Sequence, residues 1–200
     1  MSKQLLVDYT LFEISPQQIS ESLTQNNGKL VVQGVLQRAE AKNQNERVYP
    51  KEVLMREAKK YNQLIKERRA LGELDHPESS VVNLNNVSHN VTNMGWNGND
   101  LVGTVEVLST PSGNILKELF KSGIKLGISS RGMGSVKEVM REGNNTLEVQ
   151  PDFELVAFDF VSNPSTHGAF LSPVNESVNK VVNKRYSNIN NLITTIIREF

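Results

Sequence analysis

The sequence predicts an α+β chain, rich in β-strand and arranged as a closed β-barrel surrounded by helices. Three observations point there: short β-branched runs recur between turn signals, two of those runs are joined through an Asn-Gly dipeptide, and only two segments carry helical periodicity. The chain has 200 residues, enough for one domain with a proper core. Residues 1–174 are expected to form that domain, and residues 175–200 a linker ending in a short helix.

In chain order, Lys29 to Gln37 is short and β-branched and reads as a buried strand interrupted by Gly34. Ala41 to Arg47 is polar and reads as a loop. Pro50 opens a helix whose Leu54, Ala58, Tyr61 and Ile65 fall on one face, with Lys66 to Arg69 on its solvated side. Val87 to Trp96 and Leu101 to Leu108 read as two strands joined by Asn97-Gly98-Asn99-Asp100, since Asn and Gly both tolerate positive φ. Thr110-Pro111 caps a second helix with Ile115, Leu116, Leu119 and Phe120 as its apolar stripe, and Gly123 ends it. Lys125 to Ser129, Gly134 to Arg141 and Phe153 to Ser162 complete the strands, with Glu142 to Asn145 as a turn. Asn175 to Asn191 is rich in Asn, Val, Ser and Lys, and only Ile189 to Ile197 looks amphipathic.

Composition excludes several classes. Hydrophobic content of 38 % and charged content of 22 % are those of an ordinary soluble protein, and the formal net charge of zero gives no electrostatic case for nucleic acid or an anionic membrane. Cysteine is absent, which removes disulfides, thiolate catalysis and cysteine-ligated metals and suits a reducing compartment. No segment is long and apolar enough to span a membrane, and the first residues do not read as a signal peptide. The three histidines, His76, His89 and His167, share no metal-binding spacing, so no metal and no cofactor is expected.

Two short segments carry the candidate chemistry. Ser129 lies in Gly127-Ile128-Ser129-Ser130-Arg131-Gly132-Met133-Gly134, which reads as a glycine-bracketed turn at a strand end. His76 lies between an acid and a proline in Leu71-Gly72-Glu73-Leu74-Asp75-His76-Pro77. A serine needs an adjacent base to become nucleophilic, and histidine has the pKa for that work. A turn at Ser129 could aim backbone N–H groups at an oxyanion, with Ser130, Arg131 and Gly132 in support. The plainer alternative makes Ser129 a turn residue and His76 a loop histidine. Asp159, an acid inside the strand Val156 to Val161, either faces solvent or pairs with something inside; it is the candidate to orient the histidine. Glu73, His89 and His167 are alternative third members. His89 itself reads as a half-exposed strand histidine and His167 as a loop or rim residue.

Five segments in order resemble one family, the prohead core proteases of large tailed bacteriophages: Asn43 to Lys51, Leu71 to Pro77, Trp96 to Asp100, Gly127 to Gly132, and Asp159 through Ser165. The resemblance implies a herpesvirus-assemblin-like fold, with His76 as general base and Ser129 as nucleophile. It implies a serine endopeptidase that cleaves scaffold and capsid precursor proteins inside the assembling prohead, in the host cytoplasm, with self-association possible. It also implies cleavage after an apolar-x-Glu pattern, which occurs near both ends at Leu11-Phe12-Glu13 and Ile197-Arg198-Glu199 and in the interior at Glu67, Glu73 and Glu118. The interior matches lie in or beside expected structure, so self-processing is expected near a terminus, at Glu13 ahead of Glu199. The alternative of a different class is a catalytically silent core or scaffold component that kept the fold.

Overall fold

The structure is a computed structural model that describes residues 2–75, 77–141 and 143–162, all within one compact unit. The expected tail of 175–200, like His76 and His167, lies outside the described residues.

Strand β1 (Gln4–Phe12) buries Leu6, Asp8 and Phe12 on one face, the period of two that a half-buried strand demands. Helix α1 (Pro16–Gln25) follows, started by a reciprocal capping box: the Gln18 N–H donates to Ser15 Oγ, and the Ser15 N–H to Gln18 Oε1. Strand β2 (Val31–Arg38) and the short β3 (Arg47–Val48) flank the polar loop. Helix α2 (Lys51–Lys66) buries Leu54, Ala58 and Tyr61, as its spacing predicts, and Val53 besides, while Ile65 is half-buried. Strand β4 (Leu71–Glu73) precedes the segment of His76.

A 3₁₀ turn, Leu84–Asn86, leads into the hairpin of β5 (Val87–Asn97) and β6 (Asp100–Val107). Asn97 pairs with Asp100, so the two central turn residues are Gly98 and Asn99, with positive φ at Gly98. The turn therefore sits one residue later than an Asn-Gly centre, with glycine first, the type II′ arrangement. Helix α3 (Pro111–Lys121) is capped by Thr110 Oγ1, which accepts from the Gly113 N–H, and it buries Leu116 and Phe120 while leaving Ile115 exposed. Strand β7 (Leu126–Gly134) is followed by β8 (Val136–Arg141), β9 (Asn144–Val149) and β10 (Glu154–Val161).

Among the described residues these strands form three sheets, in the orders β1-β7-β10, β2-β6-β5-β4 and β3-β9-β8. The expectation of about six strands and two helices was too few: β1, β3, β4, β9 and α1 are additional. A parallel bridge between Leu74 and Phe160, with the Asp75 N–H donating to the Phe160 carbonyl at 2.7 Å, joins β10 to the end of β4. Between β1 and β2 no ladder forms among the described residues; the Phe12 ring occupies the space that a side chain at Gly34 would need. Strand pairing thus leaves the expected barrel open at that seam.

The main core gathers Phe12, Leu36, Tyr61, Val91, Val105, Leu116, Phe120, Ile128, Phe158 and Phe160. Phe160 is its hub, with Phe12, His89 and Phe120 set edge-on to it at centroid distances of 5.1, 4.7 and 5.3 Å. A second cluster of Leu6, Tyr49, Val53, Leu54 and Phe153 lies under the first half of α2, so one helix covers both. Gly72 marks the tightest approach near the candidate histidine: a Cβ there would run into the Phe158 carbonyl oxygen and the His89 ring. Overpacking of this kind, with backbone on one side, costs about 1–3 kcal/mol or more. Gly72→Ala is expected to lower stability by about 3 kcal/mol in chemical denaturation, whereas Gly95→Ala, where nothing lies within 4 Å, stays within about 1 kcal/mol of wild type.

Candidate active site

Ser129 is not in a turn. It is the fourth residue of the nine-residue β7, the central strand of its sheet, where it pairs with Tyr9 on one side and Asp159 on the other. The glycines around it serve close approach: the Tyr9 ring fills the place of a Gly127 side chain, and the Phe153 ring that of Gly132. The backbone N–H groups of this stretch belong to ladders on both edges, so they form no oxyanion-binding turn. Alternation puts Tyr9, Ser129, Asp159 and Arg131 on one face, and Ile128, Ser130 and Phe158 on the other. Ser129 is fully buried, and its Oγ has no hydrogen-bond partner among the described residues. Ser130 Oγ donates to the Asp8 carbonyl at 3.3 Å on the core side.

Arg131 is fully buried, and each of its five N–H donors is engaged. Nε donates to Asp159 Oδ2 at 2.7 Å. Nη2 donates to Glu73 Oε1 at 2.9 Å and to Asp159 Oδ1 at 3.2 Å. Nη1 donates to the carbonyls of Ser79 at 2.6 Å and Val81 at 3.3 Å. The expected contribution of this guanidinium to an oxyanion site has no donor left to make it.

Asp159 does not face solvent. It is fully buried, and besides Arg131 it accepts the Glu73 N–H at 3.0 Å. Three of roughly four acceptor positions on the carboxylate are therefore filled, and one on Oδ2 remains open among the described residues. Burial pushes the carboxyl upward from its usual range, opposed by the Arg131 guanidinium and the Glu73 amide. Glu73, also fully buried, accepts the Asn83 N–H on Oε1 at 3.0 Å as well as Arg131.

His89 is a core residue, not a half-exposed one. It is fully buried against Phe160, with Nδ1 2.8 Å from Ser88 Oγ and Nε2 2.9 Å from the Phe158 carbonyl. A carbonyl can only accept, so Nε2 carries the proton and Nδ1 accepts from Ser88. Burial holds the imidazole neutral, its pKa pushed down to about 4. With both nitrogens engaged on the core side, His89 is removed from the candidates for the third member.

The sequence reading missed Asp8, a buried acid on β1 that organises the neighbouring corner. Its Oδ1 accepts from Asn45 Nδ2 at 2.7 Å and Arg47 Nη1 at 3.1 Å, and its Oδ2 from the Tyr49 hydroxyl. Burial beside that carboxylate drives the Tyr49 phenol well above its usual value. Lys51 extends the corner by donating to the Gly98 carbonyl at 2.9 Å and lying 5.9 Å from the Trp96 ring centre. The segments Asn43 to Lys51 and Trp96 to Asp100 are thus joined in one structural corner. The missed signal was the alternation of Leu6, Asp8 and Phe12 along β1, with an acid at a core-facing position. The expected self-processing site follows the end of the same strand, where Glu13 itself is exposed. Leu11 and Phe12 are the last residues of β1, paired with Gly127 and Leu126, and Phe12 is buried, so a protease binding this sequence would have to free that end of the ladder.

The fold is similar to that of the solved bacteriophage T4 capsid assembly protease, gp21, with a TM-score of 0.68 and 27 % identity over 81 % of this chain and 99 % of that one. The prohead core protein protease of Enterobacteria phage T4 is 34 % identical over 148 residues, 72 % of this chain and 68 % of the relative. Fold and sequence together define the class as that of capsid-assembly proteases. The sequence matches the family described as prohead core protein serine protease over residues 8–179, and the chain belongs to that family.

The buried His89 makes stability acid-sensitive. The unfolded chain takes up a proton at this imidazole below its ordinary value of 6.5, and the folded chain only below about 4. Stability is therefore full above pH 6.5 and falls as pH drops from there to 4, by roughly 3 kcal/mol. Urea denaturation at pH 7 and pH 4.5 is expected to show a drop for wild type that is about 2–3 kcal/mol larger than the drop for His89→Gln.

Proposed function

We propose that this chain is a serine endopeptidase of prohead maturation, with Ser129 as nucleophile and His76 as the base that takes its proton. The single observation that carries the reading is the Ser129 hydroxyl, buried without a partner among the described residues. An unmet buried hydroxyl costs about 1–3 kcal/mol, and a nucleophile that waits for its base gives that cost a use. The segments on both sides of His76 support the reading, because Glu73 precedes it and Ser79 follows it on the Ser129 side of β7, both held by Arg131.

Asp159 is the third member of this reading, through the acceptor position on Oδ2 that the described residues leave open, to which a His76 ring N–H would donate. It carries a second duty as counter-ion to a buried guanidinium. Asp159→Asn is therefore expected to destabilise the domain as well as slow turnover, since breaking a buried ion pair costs about 3–5 kcal/mol. The oxyanion donors of this mechanism lie outside the Arg131 guanidinium. Gly132 supports the site by admitting the Phe153 ring, and Ser130 by tying β7 to β1.

The finer fold reading is a barrel-like ring in the order β1-β7-β10-β4-β5-β6-β2, bridged at Leu74 and Phe160 and closed at the last seam by Phe12 packing on Gly34. The substrates we assign are scaffold and capsid precursor proteins, met within the assembling prohead and cut after apolar-x-Glu sequences. Among the described residues no helix is long and apolar enough to cross a membrane.

The test is cleavage of a purified scaffold protein and of a peptide carrying an apolar-x-Glu sequence. Ser129→Ala is expected to lose roughly 10⁴-fold or more in kcat/KM. Ser130→Ala, which gives up one hydrogen bond worth about 0.5–1.5 kcal/mol, keeps activity within about tenfold. Dead Ser130→Ala with active Ser129→Ala would reverse the assignment, and an inactive wild type would favour the silent core component.

A further inference from the structure

Beyond the nucleophile and base, the donor geometry of Arg131 has a use of its own. Its side chain rises from the same face of β7 as Ser129, two residues along the strand. From there it reaches the chain on both sides of position 76. On the approach it meets the Glu73 carboxylate, and on the departure the carbonyls of Ser79 and Val81. Glu73 closes the far end by accepting the Asn83 N–H, and Asp159 closes the near end by accepting the Glu73 N–H. Ser79 and Val81 belong to no strand or helix, and Val81 is largely exposed, so no regular structure of their own holds them in place.

We infer that Arg131 is the positioning residue of the catalytic base: it clasps both flanks of the His76 loop to the strand that carries Ser129. The inference rests on the proposed role of His76. The fork of the guanidinium makes this possible, because its planar donors address two carboxylates and two carbonyls at once. A lysine ammonium has three donors on a single centre and cannot span the two flanks. Arg131 itself touches neither substrate nor reacting atoms in this scheme. It acts by fixing the distance between base and nucleophile, and a misplacement of about 1 Å there is worth roughly 100-fold in rate.

Arg131→Lys and Glu73→Gln separate this role from simple support of the fold. Glu73→Gln keeps an oxygen for Arg131 and Asn83, which guards against a lysine variant that fails to fold. Each would be followed by thermal melting, by hydrogen exchange over residues 77–83, and by kcat and KM on the apolar-x-Glu peptide across pH. In Arg131→Lys the clasp predicts a cooperative melt, faster exchange at 77–83, and a fall of roughly 100-fold in kcat with KM within about threefold. The pH–rate limb set by the base should shift as its surroundings loosen. In Glu73→Gln the same changes should appear in smaller degree, of the order of tenfold in kcat. Wild-type kcat and wild-type exchange in both variants would overturn the inference. So would a large loss of kcat with protection at 77–83 unchanged, since Arg131 would then act on the reaction directly. If the wild type cleaves nothing, the serine-protease reading fails, and the exchange at 77–83 still decides whether Arg131 holds the loop.

Discussion

Everything around the candidate site depends on one buried guanidinium. Arg131 sits with no solvent contact between Asp159 and Glu73, both equally inaccessible. Three charges out of water carry a desolvation cost of several kcal/mol each, and only close opposite charges with every donor engaged offset it. That requirement is satisfied in one geometry alone: β10 beside β7, β4 beside β10, and the chain after position 76 folded back onto the same face. A hydrophobic cluster could hold these elements together with less penalty, but it would tolerate sliding. A fork of five directed hydrogen bonds does not.

The rest of the fold steadies that arrangement. β7 is central in its sheet, laddered on both edges from Gly127 to Met133, so Ser129 stands on a backbone with little freedom. β1 is held in turn by Asp8 and its partners from the β3 corner, and the Phe160 hub ties β10 to the main core. Arg56 and Glu57 of α2 grip the start of β10, through the Pro151 and Phe153 carbonyls and the Leu155 amide. The serine thus sits on a strand paired along both edges, and the described residues flanking the proposed base are held by Arg131 together with the backbone bonds of Leu74 and Asp75.

Where a pattern was local, the sequence was enough. The apolar spacing of α2, the Thr110 cap of α3 and the alternation around Asp159 all carry over into structure, because each depends on neighbours a few residues away. Ser15 to Gln18 carries an equally local capping box that the sequence reading passed over, and with it α1. The errors at the site are of another kind. Gly127, Gly132 and Gly134 suggested a turn, yet glycine also marks places where a ring must lie flat on a strand, and the rings in question come from Tyr9 and Phe153, remote in sequence. Arg131 looked like a free cation beside a serine, because its partners Glu73, Ser79, Val81 and Asp159 lie 28 to 58 residues away. His89 alternates with valines as an exposed residue would, and only the neighbouring strands show that both faces of β5 are covered at that point. Long-range pairing decides all three, and a single sequence does not display it.

In the proposed mechanism the hydroxyl of Ser129, alone among the serines of this strand, is activated for attack. Reaction of the full chain with a fluorophosphonate, which phosphonylates serine only where a base removes its proton, measures that directly by mass spectrometry of the intact protein and of its peptides. One adduct per chain is expected, carried by the 126–134 segment at Ser129, and none after His76→Ala. An adduct on Ser130, or adducts that survive His76→Ala, would contradict it.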